Sequence, residues 1–134
     1  MIRYLLDTNA CIAVINDNPL SVRKRLLQTD PLEVAISQIV HYELAFGVCN
    51  SSQVERNQAN LQHFLKYVQV LDWGEEQATS AAQIRCDLLR AGRPIGPYDI
   101  LIAAHAHSLE AILVTHNRRE FARVDGLRVA DWES

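Results

Sequence analysis

Tyr4-Leu5-Leu6-Asp7-Thr8-Asn9 is the stretch from which the fold can be read. Three residues of strand or apolar character run into a carboxylate and two short polar residues. A helix-like pattern, Ala10-Cys11-Ile12-Ala13-Val14-Ile15, follows at once. In an alternating α/β chain this is a buried parallel strand with an acid at its carboxyl end. Ligands of open α/β sheets bind in the crevice beyond those ends. Position alone makes Asp7 a candidate functional residue.

The rest of the chain keeps the alternation. Thr8 or Asn9 is expected to cap the first helix. Asn18-Pro19, cap and first helical residue, opens a second helix to about residue 28. Residues 33–37 read as a strand, and Ser37 as the cap of a helix with Ile39, Val40, Glu43, Leu44 and Gly47 along one side. A helix over 52–67, a strand over 68–73 and a helix over 74–91 follow, the last ended by Gly92 in the left-handed conformation. Arg93-Pro94-Ile95-Gly96-Pro97 is a rigid loop, with Pro97 near the first position of a helix reaching residue 109. A strand over 111–115, a short helix over 118–123 and a last strand over 127–132 complete the chain. The pattern predicts an α/β fold: a mostly parallel central sheet of four to five strands with helices on both faces.

A length of 134 residues fits one domain spanning 1–134, and no repeat or low-complexity tract divides it. The net charge of −3 names no partner, but its distribution is uneven. Residues 85–128 hold seven arginines against five acids, so the remainder has a net charge of −5. Eleven of the thirteen basic residues are arginines, the better planar donors to phosphate and carboxylate. Cys11, Cys49 and Cys86 form no CxxC pair and read as small reduced core residues of a soluble, cytoplasmic protein. No apolar run is long enough for a membrane span.

Three carboxylates break the local pattern. Asp7 closes an apolar strand, Glu43 shares a helix face with Ile39, Val40 and Gly47, and Asp99 shares one with Ile102, Ala103 and Ala106. Each falls on a stripe expected to face inward, where an unpaired carboxylate would sooner protonate. Each also has a plain structural explanation: Asp7 as a helix cap, Glu43 paired with an arginine, Asp99 as a favourable acid in a first turn. Convergence of the three would suit Mg²⁺ or Mn²⁺, which prefer oxygen ligands and support in-line phosphoryl displacement. His41-Tyr42-Glu43 is not HExxH, and His105 and His107 lie two apart on a helix, so neither pattern is a zinc motif. Nucleotide-binding glycine loops and a GxSxG elbow are absent.

Leu6-Asp7-Thr8-Asn9, the Glu43 helix, the run from Gly92 through Pro97-Tyr98-Asp99, and Thr115-His116-Asn117-Arg118-Arg119-Glu120-Phe121 together resemble a PIN-domain ribonuclease. More narrowly, they resemble the VapC toxins of type II toxin–antitoxin systems. The resemblance covers essentially the whole chain, to Gly126-Leu127 and Asp131-Trp132. It implies a three-layer αβα PIN-like domain and a Mg²⁺-dependent endoribonuclease, with Mn²⁺ as a substitute and Asp7, Glu43 and Asp99 as metal ligands. It implies an RNA substrate, a tRNA in several members. A homodimer inhibited by a small VapB-type antitoxin is also implied, with DNA engaged only through that antitoxin.

Thr8, Asn9 and Thr115 are the supporting polar residues of this reading, and Arg93 and Arg118 the candidate RNA contacts. Many PIN domains have an acid where this chain has Asn117, so either Asn117 or Glu120 takes the fourth catalytic position. We expect Glu120 to face the site, with Asn117 orienting a water. A catalytically idle PIN domain serving as a regulatory module is the alternative. A haloacid dehalogenase-type phosphatase would need an acid at Asn9.

Overall fold

The computed structural model describes residues 1–134. Five parallel strands form one sheet: β1 (Tyr4–Leu6), β2 (Val34–Ser37), β3 (Gln69–Leu71), β4 (Ile112–Val114) and β5 (Arg128–Ala130), in the order β3-β2-β1-β4-β5. β1 is central, pairing Tyr4 with Val34 on one side and with Ile112 on the other. Leu5, Leu6 and all of β2 are buried, whereas β3 and β5 lie at the edges and are partly exposed. Continuous apolar runs in the middle and mixed ones outside are what a sheet covered on both faces requires.

Seven α-helices connect the strands: α1 (Thr8–Asn16), α2 (Leu20–Leu27), α3 (Gln38–Cys49), α4 (Val54–Phe64), α5 (Glu75–Arg90), α6 (Pro97–Leu109) and α7 (Arg118–Phe121). The chain steps from β1 to β2 to β3, then returns past β1 to β4 and β5. With right-handed crossovers, that reversal puts α1–α4 on one face and α5–α7 on the other. The packing follows the same division, α1 touching α2, α3 and α4 while α5 lies along α6. α6 is buried at Ile100 and from Ile102 through Ala106, as its nearly all-apolar sequence requires.

Several boundaries differ from the sequence reading. Asp7, not Thr8 or Asn9, caps α1: its backbone is extended and its Oδ1 accepts from the Ala10 N–H at 2.8 Å. Pro19 is the extended residue before α2 rather than its first helical residue. The helix expected over 52–67 begins at Val54 and tightens into a 3-10 turn over Leu65–Tyr67, and a second such turn, Pro31–Glu33, leads into β2. Gly92 does end α5 with φ at 68°, and Pro97 does open α6. The last strand stops at Ala130, because Trp132 turns inward to pack edge-on against Tyr4 at 5.2 Å between centroids. Of the cysteines only Cys11 is a core residue; Cys49 is exposed and Cys86 half-buried. No helix is long and apolar enough to cross a membrane.

Candidate active site

β1 and β4 flank the point where the strand order reverses, and the crevice beyond their carboxyl ends is the natural site of such a sheet. Asp7 follows β1 and Thr115 follows β4. Both are buried, and the Asp7 N–H bonds the carbonyl of Val114 at 3.0 Å. Burial raises the carboxyl pKa of Asp7; the Thr115 hydroxyl and the Ala10 N–H oppose that rise, and the charges of Glu43 and Glu133 add to it. Helix capping and proximity to other acids are thus combined in one side chain.

Glu43 and Asp99 arrive from opposite faces. α3 meets α6 at the carboxyl edge of the sheet, where Tyr42 and Tyr98 lie 5.8 Å apart between ring centroids. Both acids are half-buried rather than interior, and Gly47 is exposed. Glu43 Oε1 accepts from the Thr8 hydroxyl at 2.7 Å, which fixes it beside the start of α1. Asn9 is exposed and forms no side-chain hydrogen bond.

Glu120, in the single turn of α7, reaches back to the start of α6. Its Oε1 accepts from the Gly96 N–H at 2.9 Å and its Oε2 from the Asn117 amide at 2.6 Å. These donors, the Gly96 N–H foremost, lower the pKa of Glu120. Asp99 moves the other way, pushed up to about 7 first by burial, then by the charge of Glu120 and a hydrogen bond to it, and then by Asp7 and Glu43. Asp99 therefore lies in the field of Glu120, Asp7 and Glu43 together. Asn117 is turned to Glu120, and its own N–H is held by Thr115 Oγ1 at 2.9 Å. Arg93 and Arg118 are exposed, and neither side chain is engaged in a hydrogen bond or salt bridge.

None of the four acids forms a salt bridge; Arg23–Asp17 and His116 with Asp131 and Glu133 are the ion pairs of the chain. An all-oxygen donor set with unbalanced negative charge suits a hard divalent cation, and the raised pKa of Asp99 marks the charge such a cation would neutralise.

The PIN domain family model matches residues 4–127. The tRNA(fMet)-specific endonuclease VapC of Shigella flexneri is 45% identical over 132 residues, covering 98% of this chain and 99% of the relative. The chain belongs to the VapC family of PIN domains. The structure is similar to that of this family in the crystal structure of DNA-bound VapBC from Salmonella typhimurium, with a TM-score of 0.93, 41% identity and coverage of 98% and 99% of the two chains. VapBC2 from Rickettsia felis, bound to a promoter DNA fragment, gives a TM-score of 0.92 at 38% identity, with the same coverage. For a VapC-family chain the parallel five-stranded sheet is the expected architecture.

Two features of the structure carry no sequence signal. The Gly96 N–H is a backbone donor, invisible in residue identity. The cluster of His116, Asp131 and Glu133 joins His116 to two residues at least 15 positions further on. Alternation around the inward-turned Trp132 would have paired Asp131 with Glu133, but not with His116.

Proposed function

We propose that this protein is a Mg²⁺-dependent endoribonuclease toxin that cuts a tRNA and is neutralised by a small VapB-type antitoxin. In this reading it acts as a homodimer and meets operator DNA only through that antitoxin. The observation that carries the reading is Asp99 crowded by Glu120, Asp7 and Glu43 beyond the ends of β1 and β4, with none of the four in a salt bridge. The VapC names and VapBC assemblies of its relatives support the substrate and the partner.

Asp7, Glu43 and Asp99 would hold the ion, with Mn²⁺ a substitute. A bound divalent cation supplies Lewis-acid stabilisation of charge developing on the phosphoryl group and makes an attacking water more acidic. The protein's own contribution is positioning. Thr8 holds Glu43 and Thr115 faces Asp7, so both carboxylates keep one orientation. Gly96 and Asn117 keep Glu120 ionised, so it can accept a hydrogen bond from the attacking water and orient it. Arg93 and Arg118 are free to meet the phosphate backbone. Asn117 is the feature that favours an idle domain, but its amide serves an adjacent acid instead of leaving the fourth position neutral.

The test is incubation of the purified protein with a tRNA pool in Mg²⁺ and in EDTA, beside Asp99→Asn. Cleavage confined to the Mg²⁺ sample and abolished by the substitution supports the reading. A variant that cuts as well as the parent, or cleavage in EDTA, overturns it.

A further inference from the structure

We propose that His116, Asp131 and Glu133 form a second metal site, separate from the carboxylate centre and selective for a borderline ion such as Zn²⁺. The three donor atoms lie within 4.8 Å of one another. His116 Nδ1 is 3.0 Å from Asp131 Oδ2 and 3.6 Å from Glu133 Oε2. Ligands about 2.0–2.1 Å from a tetrahedral Zn²⁺ stand roughly 3.3–3.4 Å apart, so these two separations bracket the required edge. An ion entering here would replace the Nδ1 proton that now bridges to Asp131. Water completes the fourth position.

The donors are held before any ion arrives. His116 follows Thr115, whose N–H bonds the carbonyl of Ala130 at 2.9 Å, so the two loops leave the sheet in fixed register. Trp132 is buried, and Asp131 and Glu133 on either side of it stay partly exposed. Asp131 Oδ1 accepts from the Glu133 N–H at 2.9 Å, which leaves Oδ2 to face the imidazole. Ser21 Oγ ties the Glu133 carbonyl to α2 at 3.2 Å. Asp7 adds negative field at both His116 and Glu133.

The mixed nitrogen and oxygen set distinguishes this site from the all-oxygen centre. Imidazole suits zinc, nickel and copper, whereas Mg²⁺ prefers carboxylate and water. Zinc here would fasten the C-terminal turn to the loop bearing Asn117, whose amide holds Glu120.

The experiment is calorimetric titration of the untagged full chain with Zn²⁺ in excess Mg²⁺, with Co²⁺ as a spectroscopic stand-in. Thermal melts with and without Zn²⁺ give a second readout. We expect one equivalent of Zn²⁺, intense visible Co²⁺ bands, and a melting temperature raised by Zn²⁺, since the ion binds only the folded arrangement. Asp99→Asn should keep all three. His116→Ala, an exposed position, and Glu133→Gln should each weaken zinc binding by at least about tenfold, the lower end of what loss of even an outer partner costs. Binding without saturation at one equivalent, or unchanged in His116→Ala, overturns the proposal. So does loss of zinc binding in Asp99→Asn, which would place the ion in the carboxylate centre.

Discussion

Replacing Asp99 by Asn should stabilise the metal-free protein at neutral and alkaline pH. Asp99 has its folded-state pKa raised from 3.8 to about 7. Below the lower value both folded and unfolded forms are protonated, and the group contributes nothing. Between the two values the unfolded chain loses its proton while the folded protein keeps it, so stability falls as pH rises. Above about 7 the penalty is complete, and the shift corresponds to about 4 kcal/mol. Water around this half-buried group screens part of it, leaving about 2–3 kcal/mol. The amide that replaces the carboxyl donates to Glu120 as the protonated acid does, so the hydrogen bond survives the substitution. In EDTA the two proteins should melt within a few degrees of each other at about pH 4, and the variant roughly 5–12 °C higher at about pH 8. Adding Mg²⁺ should raise the wild type and leave the variant nearly unchanged. A difference in melting temperature that stays constant across this pH range would refute the account of Asp99 as a carboxyl crowded by burial and by other acids.

Asp7→Asn keeps a capping oxygen for the Ala10 N–H and should leave stability nearly intact while abolishing cleavage. Asp7→Ala should lose cleavage and also about 1 kcal/mol of stability, measured by urea unfolding; equal stability in the two variants would remove the cap from the account. Glu120→Gln should slow cleavage by more than about tenfold, or about 1.4 kcal/mol of barrier, in single-turnover assays. Full activity there together with an inactive Asn117→Ala would reverse the two roles. Charge reversal at Arg93 and Arg118 together should weaken RNA binding and flatten its dependence on salt. An unchanged salt slope would take both out of the footprint.

The order of strands and helices was legible in the sequence because burial on both faces of a parallel sheet leaves continuous apolar runs, and glycine and proline punctuate their ends. Gly92 at the end of α5 and Pro97 at the start of α6 are local backbone preferences, and they act as they do in any context. The misplaced acids Asp7, Glu43 and Asp99 were visible for the same reason: a carboxylate among apolar neighbours is a local anomaly. Tertiary structure alone decided what those acids meet. Asp7, Thr8 and Asn9 are all residue types that cap helices, and Asp7 holds that place because the cap falls where extended backbone turns helical. Glu43 and Asp99 reach one mouth because α3 and α6 cross at the carboxyl edge from opposite faces of the sheet. Glu120 owes its lowered pKa to a backbone N–H on Gly96, 24 residues away. His116 meets Asp131 because β4 and β5 lie in register. Local interactions are written in neighbouring residues, whereas the field and the hydrogen bonds at a site are sums over distances that only the folded chain sets.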